Sequence, residues 1–398
     1  MRPPLPRHQS NRLPAPADDA LRHTNACAAM LCNEIAAAGG WLSFAGFMEL
    51  ALYAPGLGYY AAGARKFGAD GDFVTAPEIS SLFGQCLAQT IAEVLHQTSG
   101  DVLELGPGSG KLAIDILLAL DERGVLPDKY YLLEVSADLR ERQQQAIALL
   151  PPHLSHRCAW LSELPSGFNG AVIANEVLDV IPVHLVTFSS GKQCERGVTV
   201  RDGVFTWQDI ATLPAALRAP LAQVQRAYLT AAPPDEYLTE FAPAIRGLVN
   251  SLAQSLQHGA VIFIDYGFRG AEYYHPSRIT GTLMCHYRHY AHTDPFIFPG
   301  LQDITAHVDF TAVADAGVAA KLQLLGYTTQ ANFLLASGLT DRLQMAAPEI
   351  PATYLPLTTQ VQRLVSPAEM GEFFKVIGFG KNLLSPITAF QTARQLPL

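Results

Sequence analysis

Asp101-Val-Leu-Glu-Leu-Gly-Pro-Gly-Ser-Gly110, running on into Lys111-Leu-Ala-Ile-Asp-Ile-Leu-Leu-Ala-Leu120, reads as a buried strand that breaks into a glycine turn and opens a helix. Gly106, Gly108 and Gly110, at alternate positions around Pro107, let backbone approach a ligand where any Cβ would collide. The helix N-terminus faces the same place, so the segment predicts a site for a nucleoside-bearing cofactor. A dinucleotide fingerprint, Gly-x-Gly-x-x-Gly, would put its third glycine at position 111, which is lysine here.

The next element agrees. Tyr130-Tyr-Leu-Leu-Glu134 is a second apolar strand whose terminal carboxylate stands 24 positions after Gly110, where an acidic residue accepts the two ribose hydroxyls of a nucleoside. Ser136 then caps an amphipathic segment that runs to Leu150. Gly-x-Gly-x-Gly preceded by acidic Glu104 resembles the first motif of the S-adenosyl-L-methionine methyltransferases. Glu104, Gly106, Pro107, Gly108, Gly110 and Glu134 are therefore expected to bind that cofactor.

Composition narrows the function classes. The 398 residues are 49% hydrophobic and 16% charged, enough for a large core, and the net charge of −9 with no Lys/Arg-rich run argues against nucleic acid as a partner. No apolar run has the length of a membrane span, so no membrane partner is expected. Cys27, Cys32, Cys86, Cys158, Cys194 and Cys285 form no C-x-x-C pair, which points to reduced thiols and a cytoplasmic location, or the mitochondrial matrix for a eukaryotic source. Arg2, Arg7 and Arg12 lie among five prolines that prevent a transit-peptide helix, and residues 1–24 read as a disordered tail.

Residues 25–97 read as an N-terminal segment, helical at first, then rich in glycine and aromatics, with a leading helix from Ser80 to His96. Within it Gly71-Asp-Phe-Val-Thr-Ala-Pro-Glu78 is expected to be a lid or wall, Thr75 toward the cofactor and Asp72 toward the substrate. Residues 98–189 form the first half of the core, with His156–Trp160 and Gly170–Glu176 as third and fourth strands. Residues 190–257 read as an inserted lobe containing a hairpin around Asp202-Gly203 and helices over Ala215–Leu229 and Pro243–Leu256. Residues 258–398 complete the core with Gly259–Gly267 as fifth strand, an inserted substrate loop over 268–305, a helix capped by Asp309 and stopped by Gly326, and closing strands at Tyr327–Phe333 and Phe374–Phe379. Three strands thus end in Glu134, Asn175-Glu176 and Asp265, and the carboxyl ends of a parallel sheet share one edge.

With those elements placed, the chain resembles the MidA family, the mitochondrial complex I assembly methyltransferases and their bacterial relatives, over about residues 40–380. The blocks are Gly71–Gly84, Glu104–Leu112, Glu134-Val-Ser, Asn175-Glu-Val-Leu-Asp-Val-Ile-Pro182, Asp265-Tyr-Gly, Gly281-Thr-Leu and Gln302-Asp-Ile-Thr-Ala-His-Val-Asp-Phe310. Val180 departs from an alanine common in the family. The resemblance implies an α/β protein with the class I methyltransferase Rossmann-like sheet, mostly parallel with one antiparallel strand, carrying N-terminal and inserted lobes. For eukaryotic members it implies dimethylation of a protein arginine, and a homodimer is compatible with it.

Methyl transfer from a sulfonium is an in-line displacement, so the protein has mainly to align the nucleophile and exclude water. An arginine nucleophile needs carboxylates to fix its plane. Glu176, Asp179 and Asp265 are the candidate catalytic residues, Asn175 and Glu176 also facing the cofactor, while His307 and Asp309 are assigned to the substrate. Asp179 has the alternative of capping the turn before Pro182, and Asp265 that of a buried strand-end group bonded to backbone. No metal is expected: His307-x-Asp309 with His286, His289 or His292 has the spacing of an iron triad, but Asp309 is already occupied as a helix cap. A non-catalytic assembly factor that binds the same cofactor would share every glycine motif but would not need three acids on one edge.

Overall fold

The structure, a computed structural model, describes residues 13–61, 75–189, 191–229, 236–345 and 350–398. The chain divides into two compact units: Met1–Phe73, Val180–Ala244 and Ala271–His307 make the first, Val74–Asp179, Ile245–Gly270 and Val308–Leu398 the second.

The second unit is built on strands β1 (Asp101–Leu105), β2 (Tyr130–Leu133), β3 (Cys158–Leu161), β4 (Phe168–Asn175), β5 (Leu256–Phe268), β6 (Gln323–Thr329) and β7 (Phe374–Lys381), in the order β6-β7-β5-β4-β1-β2-β3. Strands β1 to β5 pair in parallel and β7 runs antiparallel to both of its neighbours. This is the mostly parallel α/β sheet that the sequence predicts. Val102, Leu103, Ala171, Ile173, Val261, Ile262 and Phe263 are buried, as strands covered on both faces must be. Helix α1 (Ser81–Thr98), capped by Ser80, packs on β4, β5 and helix α2 (Lys111–Glu122).

Register sets the site. Leu161, Leu133, Leu105, Ala174 and Phe263 lie in one row across five strands, so Glu134, Gly106, Asn175 and Ile264 come in the next, and Asp265 one further. Chain order reverses between β1 and β4, the switch point at which open α/β sheets bind ligands.

In the first unit Leu42–Ser43, Lys192–Arg201, His184–Ser189 and Tyr237–Phe241 pair in that order, with Val204–Ile210 on Lys192–Arg201. Asp202 and Gly203, at φ 52° and 75°, make the expected hairpin turn. A three-stranded sheet joins Tyr290–His292, Met284–Tyr287 and Asp303–Thr305.

Three expectations are corrected. Residues 18–24, assigned to a disordered tail, begin a helix, Asp18–Ala37, because Thr24, Cys27, Leu31 and Ile35 share a buried stripe and Thr24 bonds the carbonyl of Pro299 at 2.9 Å. The helix capped by Asp309 ends at Ala319, well before Gly326: Lys321 takes φ 62°, and its N–H and that of Leu322 close on Val318 and Gly317. Gly326 sits instead at an irregularity in β6, where a Cβ would meet Gln395 Oε1 at 2.5 Å. The closing strand stops at Thr329, which caps the helix Gln330–Ala336, leaving Phe333 helical and buried.

Near the N-terminal ends of β4 and β5, Gly170 and Gly259 stand where the neighbouring backbone leaves no room for a Cβ. A Cβ on Gly259 (φ 148°) would lie 1.8 Å from the carbonyl oxygen of Gly170, whereas Gly203 has nothing within 4 Å. Gly259→Ala is expected to destabilise the protein by about 3 kcal/mol or more and Gly203→Ala by about 1 kcal/mol, read as urea midpoints.

Candidate functional site

The turn after β1 is left-handed at all three glycines, with φ 57° at Gly106, 54° at Gly108 and 81° at Gly110. A Cβ on Gly106 would press on Val177 at 3.1 Å, and one on Gly110 on the Gln143 side chain at 3.3 Å. Gly110 opens α2 without a side-chain cap, so the first amides of the helix point to the turn. Ser109 Oγ donates to Glu78 Oε1 at 2.5 Å, tying the Ala76–Ile79 helical turn to the glycine turn. Thr75 is buried at the start of that turn and makes no capping bond with its side chain. Gly71 to Val74, and with them Asp72, lie outside the described residues.

Glu134, at the end of β2, is buried; its Oε1 accepts the Ser136 N–H at 2.8 Å and its Oε2 accepts Gln143 Nε2 at 3.0 Å. Val135 beside it is 74% exposed, an apolar surface next to the carboxylate. Glu104, only 2% exposed, accepts the Tyr130 hydroxyl at 2.6 Å. Burial pushes its carboxyl up to about 7; the Tyr130 bond opposes that rise, while repulsion from Glu134 adds to it.

After β4 the chain turns sharply. Glu176 adopts φ 53°, a left-handed conformation costing about 1–2 kcal/mol outside glycine. Asp265, fully buried three residues before the end of β5, holds the three residues after Glu176: its Oδ2 accepts the N–H groups of Val177, Leu178 and Asp179 at 3.1, 2.8 and 3.3 Å, and its Oδ1 accepts that of Tyr266 at 2.9 Å. Burial raises the Asp265 pKa well above the carboxylate range, and the charges of Asp179 and Glu176 push in the same direction. Asp179 Oδ2 accepts the Tyr266 hydroxyl at 2.6 Å, and Asn175 Nδ2 donates to Glu176 Oε1 at 3.2 Å. Asn175 Oδ1 is buried with no hydrogen-bond partner, an acceptor that fits a donor on a bound molecule.

The structure therefore brings Gly106, Pro107, Gly108, Gly110, Glu134, Asn175, Glu176, Asp179 and Asp265 to one edge of one sheet, while Glu104 lies two rows back within β1, bonded to Tyr130 in the core. His307 falls in the first unit and Asp309 in the second, where its Oδ1 caps the helix Phe310–Ala319 through the amides of Thr311 and Ala312. His286 and His292 are held below the ordinary histidine pKa by burial, with His292 repelling His286 and Asp294 opposing the shift of His292. Among the described residues no group of three His, Cys, Asp or Glu could hold a metal ion.

Sequence reasoning passed over Gln143, Tyr130, Tyr266 and Glu78. Only Gln143 left a signal: it shares the buried helical stripe of Leu139 and Ile147, where an uncharged polar residue demands a partner.

Sheet order, glycine turn and strand-end acids define a class of protein, the α/β proteins whose Rossmann-like sheet carries a nucleoside-cofactor site at its switch point. Comparison with known proteins gives the particular family: a model of S-adenosyl-L-methionine-dependent methyltransferases matches residues 86–328, and the chain belongs to that family. It is similar to a Burkholderia thailandensis protein crystallised with S-adenosyl-homocysteine, with 47% identity, 96% of this chain and 98% of that one covered, and a TM-score of 0.91. It is also similar to proteins named protein arginine methyltransferase NDUFAF7, mitochondrial, from rat (30% identity, 84% of this chain, 80% of that one) and human (29%, 84% and 79%). The resemblance read from the seven blocks is thereby borne out, and the protein is an S-adenosyl-L-methionine-dependent methyltransferase.

The raised Glu104 carboxyl has a consequence for stability. The native protein binds this proton more tightly than the unfolded chain does, so the stability falls as pH rises from about 4.5 to about 7 and levels off above. Glu104→Gln keeps an acceptor for Tyr130 without the charge; in thermal unfolding without ligand it is expected to be the more stable protein at about pH 8, by up to ~3 kcal/mol, with the gap closing toward about pH 4.5.

Proposed function

We propose that the acids following β4 hold an arginine side chain of a protein substrate for methylation. The observation that carries this reading is the turn 176–179, which sets Glu176 and Asp179 at the strand edge beside the glycine turn in a family of methyltransferases. The relatives named as protein arginine methyltransferases support it.

S-adenosyl-L-methionine, when bound, supplies an electrophilic methyl group on a sulfonium. Glu134 receives the ribose hydroxyls, the glycine turn admits the methionine portion, and exposed Val135 offers apolar surface to the base. A guanidinium keeps its charge at any working pH, so Glu176 and Asp179 fix its plane and gather positive charge on one nitrogen as the other attacks. Asp265 touches no substrate in this reading: with its oxygens bonded to four backbone amides, it positions the turn. A cytoplasmic location belongs to the same proposal, supported by six free thiols, although the relatives from rat and human are named as mitochondrial.

Glu134→Ala is expected to weaken S-adenosyl-homocysteine binding by about tenfold or more, the worth of one charge-assisted hydrogen bond, in calorimetry; unchanged affinity refutes the ribose assignment. Glu176→Gln should leave that affinity nearly intact and slow single-turnover transfer of labelled methyl to an arginine-containing protein by about 100-fold. Equal rates in the two proteins reject the carboxylate mechanism, and label on a residue other than arginine rejects the acceptor.

A further inference from the structure

The Gln143 side chain is fully buried and bonds at both ends of its amide. Its Oε1 accepts the Trp160 indole N–H at 2.9 Å, while its Nε2 donates to the Gly108 carbonyl at 2.9 Å and to Glu134 Oε2 at 3.0 Å. These partners leave one orientation of the amide. An indole nitrogen can only donate, so it demands the oxygen end; a carbonyl and a carboxylate can only accept, so both demand the nitrogen end. A flipped amide would lose three bonds in a buried place.

We infer that Gln143 is a positioning residue, one that locks the Glu134 carboxylate to the glycine turn so that the site selects a nucleoside carrying an intact ribose diol. The inference rests on the assignment of Glu134 to the ribose. Glu134 Oε1 is fixed by the Ser136 N–H and Oε2 by Gln143, so the plane of the carboxylate is set from both sides before any ligand arrives. Pre-setting it removes an ordering cost that binding would otherwise carry. The same amide fixes the middle of the turn through Gly108, and its Cγ is the atom that a Cβ at Gly110 would strike, so the turn and the carboxylate share one support. Trp160, at the end of the neighbouring strand β3, acts through Gln143 by holding the amide in its only satisfied orientation.

The test is a binding cycle with S-adenosyl-homocysteine and its 2′-deoxyribose analogue, measured by calorimetry on wild type, Gln143→Leu and Trp160→Phe. Wild type is expected to lose about tenfold or more in affinity when the hydroxyl is removed. Gln143→Leu should lose less than about threefold, because an unaimed carboxylate gains little from that hydroxyl, and Trp160→Phe should fall between them. General loosening of the fold would weaken both ligands alike and leave the ratio unchanged. Equal ratios in the three proteins therefore overturn the positioning role. A wild-type ratio near one overturns the ribose assignment itself, and the role of Gln143 with it. Should Gln143→Leu not fold, the Trp160→Phe ratio decides alone, since that change keeps an aromatic ring and removes the N–H: a ratio below that of wild type supports the role and an equal ratio overturns it.

Discussion

Parallel strands held in a single register are the constraint on which the site depends. Gly106, Glu134, Asn175 and Asp265 are distant in sequence, yet the ladder from Leu133 through Leu105 and Ala174 to Phe263 delivers them to one edge. A slip of one residue in any strand would turn its side chains to the other face and break the row. The register is fixed at the opposite end as well, where Asp101, Gly170 and Gly259 pack so closely that only glycine fits at the last two positions.

That edge gathers acids at a cost. A buried carboxylate loses its hydration, and Asp265 has the charges of Asp179 and Glu176 against it as well. Backbone offsets the cost: four N–H groups converge on Asp265, three of them from consecutive residues. Those three amides have no ladder to join, because β4 has ended and Glu176 has turned the chain into left-handed backbone. Each need satisfies the other. The turn requires an acceptor, the acid requires donors, and the pairing fixes Glu176 and Asp179 relative to the sheet.

Much of this was legible in the sequence where the signal is local. The strand at Asp101–Leu105, its glycine turn and the helix from Lys111 are set by apolar runs and glycine spacing, and the carboxylate of Glu134 by its place at a strand end. Asp265 was legible as a catalytic acid or as a buried strand-end group bonded to backbone, and the structure shows the backbone bonds; which amides it takes, some 87 positions away, was not legible, because hydrogen bonds between strand termini leave no pattern in one chain. Lys321 hid the end of its helix, since a lysine in left-handed backbone carries no glycine to announce it. The pairing of Leu42–Ser43 with Lys192–Arg201, which joins the N-terminal segment to residues after β4, is a long-range contact between short, unremarkable stretches. Asp72 lies outside the described residues.

Glu104 and Glu134 show how one short stretch of sheet makes two different carboxylates. They sit on neighbouring strands, two register rows apart, and both are buried. Glu104 is paired with the Tyr130 hydroxyl inside the protein, and the charge of Glu134 is one reason its own proton is held so firmly. Glu134 stands at the strand end and takes N–H donors from Ser136 and Gln143. Donors of that kind favour a carboxylate in its charged form, whereas burial favours the neutral one. Strand position thus divides the labour: an acid within the strand becomes part of the core, while an acid at its end meets the amides of the turn and is available for recognition.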